Sequence, residues 1–260
     1  MEYENILFDK NGDTAVITIH RPLEKNILST KTMQDIYHAF QAVQKDSNVR
    51  VAILTGTGEK IFSAGADINE LRLLDSTGGQ LLSQKGNEVL DFIENLRKPD
   101  IAAVNGVALG GGCEIAMACT LRIASKNARF GFPEAKVGLI PGYGGTYRLP
   151  NLVGKGRALE MILTGEPVCA DEALRVGLVN KVVPSEELLS AAQILAGKIM
   201  SSAPLAVRYI MEAVNKGIDM PWKQRALLEA SLFGQCCASE DMKEGTRAFL
   251  EKRPARFQGK

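Results

Sequence analysis

Histidine is nearly missing from this chain of 260 residues: His20 and His38 are the only two, and none of the five cysteines falls in a Cys-x-x-Cys spacing. That leaves no evident ligand set for zinc and no imidazole in the setting of a serine triad. Cys113, Cys119, Cys169, Cys236 and Cys237 are odd in number and lie in apolar stretches, which fits reduced thiols better than a disulfide framework.

An excess of either charge is also lacking. Lys and Arg total 31 against 30 Asp and Glu, a net charge of +1, with no basic block, so a nucleic-acid partner is not expected. Apolar runs such as IAAVNGVAL are too short and too interrupted to span a bilayer, so no membrane partner is expected either. The first residues, MEYENILFDK, have neither the apolar core of a signal peptide nor an Arg/Ser-rich transit character. The expected location is the cytoplasm, with a processed organellar form left open. Phosphate loops fail on spacing: GTGEKIFS puts Ile61 where a third glycine belongs, and no Gly-Lys-Ser/Thr follows a four-residue gap. The Gly-x-Ser-x-Gly elbow is missing too.

Hydrophobic content of 45% and charged content of 23% are those of a soluble globular protein, and the length suits one large domain or a domain with an appendage. ILFDKNGDTAVITIHRP reads as a hairpin turning at Asn11-Gly12-Asp13. Ser29 is placed to cap a helix with Met33, Ile36, Phe40 and Val43 on one face. Val49 to Gly56 is a short apolar strand, and a helix is expected over Gly86 to Leu96. IAAVNGVAL and LRIASKNARFGF each read as one strand. From about Gly154 helical patterns take over. The division expected is a mixed α/β core over 1–195 and a helical region over 196–260.

GVALGGGCEIAMAC holds the first chemical signal. A helix starting near Gly111 presents unpaired N–H groups and its positive dipole end to whatever precedes it. Glu114, three residues on, either offsets that dipole or serves as a base beside an anion-stabilising site. In IFSAGADINEL, Asp67 is placed to cap a short helix over Ile68 to Leu71, and the turn offers further amides. In FGFPEAKVGLIPGYGGT, Pro133 fixes the backbone before Glu134, which is either a surface residue or a partly buried acid of raised pKa. The candidate chemistry is thus two carboxylates and backbone donors, with no metal and no separate cofactor.

HRPLEKN, FSAGADI, AAVNGVALGGGCEIAMAC, FGFPEAKVGLIPGYGGTYRLP and EGTRAFLEKRPARF, in this order over essentially the whole chain, resemble the crotonase family, the enoyl-coenzyme A hydratase/isomerase superfamily. The resemblance implies an α/β fold, a spiral of ββα units with a helical C-terminal trimerisation region, and trimers paired into hexamers. It implies that the Ala66 and Gly111 amides hold the oxygen of an acyl-CoA thioester, donors of a kind that contribute about 3 kcal/mol each. Family members that hydrate a double bond carry two glutamates, and both matching positions are filled here, by Glu114 and Glu134. The implied reaction is reversible syn addition of water to a trans-2-enoyl-CoA, with a 3-enoyl isomerase as the alternative. Coenzyme A, as part of the substrate, is expected against Ala64, Ala66, Asp67, Ile68 and Asn69, with Gly142 and Tyr143 lining the site. Phe249 and Lys252 would close on the nucleotide, in competition with a plain solvated lysine. Asn69 stands where relatives carry lysine, Glu24 and Lys25 replace a smaller apolar pair, Thr120 replaces an aspartate in a structural role, and Tyr143 replaces a frequent alanine, which narrows the acyl pocket.

Overall fold

The computed structural model describes residues 3–260. Strands β1 (Ile6–Asn11) and β2 (Thr14–Ile19) form the expected hairpin, with Asn11 opposite Thr14. Gly12, at φ +60, takes the first loop position, where a two-residue hairpin favours glycine. Helix α1 (Thr30–Lys45) follows, its first turn capped by the Ser29 hydroxyl, which accepts from the Thr32 amide at 3.2 Å.

The strand expected over Val49 to Gly56 is found as β3 (Val51–Gly56), and β4 (Ile61–Ser63) follows it across a corner. IAAVNGVAL and LRIASKNARFGF depart from the expectation of one strand each: the first becomes β5 (Asp100–Val104) and β6 (Val107–Leu109), the second β7 (Leu121–Ser125) and β8 (Arg129–Gly131). The first strand of each pair enters a six-stranded sheet ordered β1-β2-β3-β5-β7-β10; the second enters a four-stranded sheet ordered β4-β6-β8-β9. Here β9 is Val168–Cys169 and β10 is Lys181–Val183. Each ββ turn therefore adds one strand to both sheets, and the chain climbs as a spiral. IAAVNGVAL breaks at Asn105-Gly106 because Asn105 staples its corner to the corner below. Its side chain accepts from the Gly56 amide at 3.1 Å and donates to the Gly58 and Ile61 carbonyls at 2.7 and 3.3 Å.

Helices separate the turns: α2 (Ile68–Leu71), α3 (Ser76–Glu94), α4 (Gly111–Ala118), α5 (Gly145–Val153), α6 (Lys155–Thr164) and α7 (Ala170–Arg175). The helix expected over Gly86 to Leu96 begins ten residues earlier. Gly78 and Gly79 hide its first turns in the sequence, while the Asp75 side chain caps the true start by accepting from Gly78 N at 2.7 Å. Strands β3, β5 and β7 are buried on both faces, which is why they read as unbroken apolar runs. Ala52, Leu54, Ala102, Val104 and Ala124 join the core shared with α1, α3 and α4. Val51, Ile53, Ile101, Ala103 and Ile123 pack against Leu188, Ala191, Ala192 and Ala196 of α8 (Leu188–Met200). Residue 195, where the sequence reading divides the chain, lies inside this sheet-covering helix.

Beyond it come α9 (Pro204–Gly217), α10 (Trp222–Cys237) and α11 (Glu240–Leu250), with α9 and α11 both packed on α10. This section exposes Trp222, Leu227, Phe233 and Phe249 by 73, 72, 69 and 84%. Among the described residues no helix is long and apolar enough to cross a membrane.

Asn105→Ala should lower stability by about 2–4 kcal/mol, because it leaves the Gly56 amide and the Gly58 carbonyl without their partner, while the Ile61 carbonyl keeps Asn26 Nδ2 at 2.9 Å. Urea unfolding would show a lower midpoint at unchanged slope; an unmoved midpoint would mean the corner is held by other contacts.

Candidate functional site

Helix α4 is short, and all eight of its residues are buried. Its C-terminal end is closed by Arg122, itself buried, which donates to the Met117 and Cys119 carbonyls at 3.3 and 2.6 Å and to Leu178 O at 2.8 Å. A cation there also suits the negative dipole end. Thr120 is structural, as expected: its hydroxyl and amide bond Asp100 Oδ1 at 2.6 and 3.0 Å. The N-terminal end of α4 has no such closure. Gly110, at φ +49, precedes it without a capping side chain.

Gly65, at φ +91, lies against that open end: a Cβ built on it would meet Leu109 O at 2.6 Å and the Gly111 amide nitrogen at 3.3 Å. Only glycine allows two backbone segments so close. The segment 64–66 is tied in turn to the loop before α1, through Ala64 N to Lys25 O at 3.1 Å and Leu28 N to Gly65 O at 2.8 Å. Ala66 and Gly111 therefore stand at one seam, and among the described residues neither amide donates to a protein acceptor. Two free N–H groups beside a helix N-terminus make a receptor for a developing oxyanion.

Both glutamates border this seam. Glu114 is 1% exposed, and its Oε1 accepts from the Tyr143 and Gly145 amides at 2.8 and 2.7 Å. Burial pushes its pKa up to about 7 against the pull of those two amides, and the charge of Glu134 adds to the rise. Glu134 sits in the 3-10 turn Pro133–Val137, half-buried, with its carboxyl over Gly110: a Cβ there would lie 2.5 Å from Glu134 Oε1. Burial raises this pKa as well, and Glu134 Oε2 is buried without any partner. An unpartnered, buried acid oxygen beside two free amides is poised to exchange a proton with something bound between them. Among the described residues no group of three or more His, Cys, Asp or Glu side chains is arranged to hold a metal ion.

The structure thus brings together Ala66, Gly111, Glu114, Glu134 and Tyr143. Asp67 caps α2 through Asn69 N at 2.8 Å, and Ile68 and Asn69 point to solvent at the rim. Phe249 and Lys252 are not joined to the site within this chain: both are exposed at the end of α11, and the Lys252 side chain has no bonded partner among the described residues.

This arrangement coincides with a family match. The sequence model of the enoyl-CoA hydratase/isomerase family matches residues 9–260. The chain belongs to that family. It is 48% identical over 253 residues to a short-chain-enoyl-CoA hydratase of Clostridium acetobutylicum, covering 97% of each chain. It is also 48% identical over 257 residues to a crotonyl-CoA hydratase of Syntrophomonas wolfei, covering 99% of each. The crystal structure of an enoyl-CoA hydratase from Bacillus anthracis superposes with a TM-score of 0.95 at 38% identity, over 99% of this chain and all of the other.

Three residues that the sequence reading passed over hold the loop bonded to Glu114 in place. The Gly142 carbonyl accepts from Ser83 Oγ at 2.6 Å and Asn87 Nδ2 at 3.1 Å; the Tyr143 carbonyl accepts from Arg148 Nη1 at 2.8 Å. Arg148, 3% exposed, is anchored in turn by Asp91 and Glu94 at 2.6 and 2.8 Å. The signal was present: Ser83, Asn87, Asp91 and Glu94 form a polar stripe at helical spacing along α3.

Because the folded chain keeps the Glu114 proton up to about pH 7 while a free glutamate releases it near 4.5, stability should fall as pH rises through that window and level off above it. Glu114→Gln should remove this slope and be more stable than wild type at pH 8 by on the order of 1–3 kcal/mol. Urea unfolding at pH 5 and pH 8 measures this; equal pH dependence in both proteins would contradict it.

Proposed function

We propose that the chain hydrates short trans-2-enoyl-CoA thioesters reversibly, the acyl-CoA being the substrate and no separate cofactor taking part. The observation that carries this reading is the meeting of two carboxylates, Glu114 and Glu134, at one pair of free amides. The short-chain and crotonyl-CoA hydratases among its relatives support the acyl class.

The thioester oxygen lies between the Ala66 and Gly111 amides, which stabilise the negative charge it gains. Ionised Glu114 orients a water and takes its proton as the water oxygen bonds to C3. The C2–C3 π electrons pass into the thioester as an enolate. Protonated Glu134 then delivers a proton to C2 on the same face, and the charge on oxygen is withdrawn. The net change is one water added, and proton exchange with solvent restores Glu114 to its ionised and Glu134 to its protonated state. Holding two acids in opposite states takes two environments. Burial raises both pKa values, that of Glu114 to about 7, so the ionised–protonated pairing forms as pH rises through that value: the two amides bonded to Glu114 favour its anion, whereas Glu134 Oε2 has no donor to favour its own.

The exposed apolar residues of the C-terminal helices support assembly into trimers and, through their pairing, hexamers. Phe249 and Lys252 would then reach coenzyme A in a neighbouring subunit. The cytoplasm is the location this reading expects.

Wild type should consume crotonyl-CoA, followed as loss of enoyl-thioester absorbance, with a rate that rises with pH through about 7 as Glu114 ionises. Glu114→Gln and Glu134→Gln should each lower kcat by about 10²–10⁴-fold. Absence of hydration by wild type, or undiminished Glu134→Gln, would refute the reading. If Glu114→Gln loses hydration yet keeps full 3-enoyl isomerisation as its main activity, the isomerase alternative holds instead.

A further inference from the structure

Tyr143 is the bulkiest side chain at the seam, and its ring has a seat built for it. One ring edge, Cδ1 and Cε1, lies so close to Gly86 of α3 that a Cβ there would clash with it, at 2.1 and 2.3 Å. The opposite edge, Cδ2 and Cε2, is 3.3 and 3.4 Å from the Cβ position of Gly111. The ring therefore spans the whole gap between α3 and the amide-bearing start of α4. Glycine in mid-helix is destabilising relative to alanine, and at Gly86 the space it leaves is filled by this ring. Tyr143 is 5% exposed, and its hydroxyl bonds no group among the described residues.

On the far side of the ring lies a pocket of about 470 Å³, predominantly apolar and walled by Met33 and Tyr37 of α1, Leu81, Leu82 and Val89 of α3, and Tyr143 itself. The pocket is well suited to a hydrocarbon chain, yet Tyr143 stands between it and Gly111. A thioester whose oxygen sits on the Gly111 amide meets the ring within a few carbons.

Resting on the acyl-CoA reading above, we propose that Tyr143 sets acyl length: it is a partition that restricts the site to short chains and keeps the α1–α3 pocket from the substrate. Removing the ring joins the two spaces, and the added methylenes of a longer acyl chain then bury apolar surface behind it. Each buried methylene favours binding by about fourfold, so even partial filling by an octenoyl chain raises its relative turnover by about tenfold.

The test is a series of trans-2-enoyl-CoA substrates from four to ten carbons, given to wild type, Tyr143→Ala, Tyr143→Leu and Tyr143→Phe. The readout is kcat/KM for the eight-carbon substrate divided by that for the four-carbon one, so that general damage to the site cancels. Wild type should show a steep fall with length. Tyr143→Ala should raise the ratio by about tenfold or more, Tyr143→Leu by less, and Tyr143→Phe should keep the wild-type ratio. A wild type equally fast on eight and four carbons would overturn the proposal, as would an unchanged ratio in both the Ala and Leu variants. If Tyr143→Ala does not fold, Tyr143→Leu decides. Calorimetric binding of butyryl-CoA and octanoyl-CoA to the same proteins reads the ratio without turnover. A shift in binding ratio with no hydration by wild type would sink the hydratase reading and leave the partition standing.

Discussion

A carboxylate in a protein core must be compensated by donors that cannot drift away, and Glu114 imposes that demand on everything around it. Its two amide donors come from Tyr143, in the loop before α5, and from Gly145, the first residue of α5. The loop is immobilised from outside by Ser83, Asn87 and Arg148, which take its outward carbonyls. The Gly142–Tyr143 peptide is thereby oriented at both ends, with its carbonyl toward α3 and its N–H toward the acid. Arg148 is buried only because Asp91 and Glu94 neutralise it. One ionisable group thus recruits two helices and a loop.

The two sheets serve the same end at longer range. Successive turns of the spiral bring corners into register, so that the turn after β4, the turn after β6 and the turn after β8 lie side by side. Those turns carry Ala66, Gly111 and Glu134. Their proximity is a consequence of parallel pairing between neighbouring turns, and any change that shifts one strand by a residue would scatter them.

Helix starts with polar caps, such as Ser29 and Asp67, were legible because their signal is local. The glycine triplet with Glu114, and Pro133 with Glu134, stood out because glycine, proline and acid are unusual inside apolar stretches. The corners at Asn105 and between β7 and β8 were not legible. Strands buried on both faces show no alternation, so nothing in IAAVNGVAL separates two short strands from one longer one. Ser83, Asn87 and Arg148 were missed for another reason: a polar helix stripe looks the same whether it faces solvent or a loop sixty residues away. Phe249 and Lys252 came only from family resemblance, and within one chain they stay at the surface.

The partners of Glu114 lie 29 and 31 residues after it in the chain. During synthesis, then, the acid leaves the ribosome before the amides that will hold it. A nascent chain halted short of Gly145 would have to seat α4 with an uncompensated acid at its heart. Compensation of the acid in that turn of the spiral is therefore tied to completion of the next.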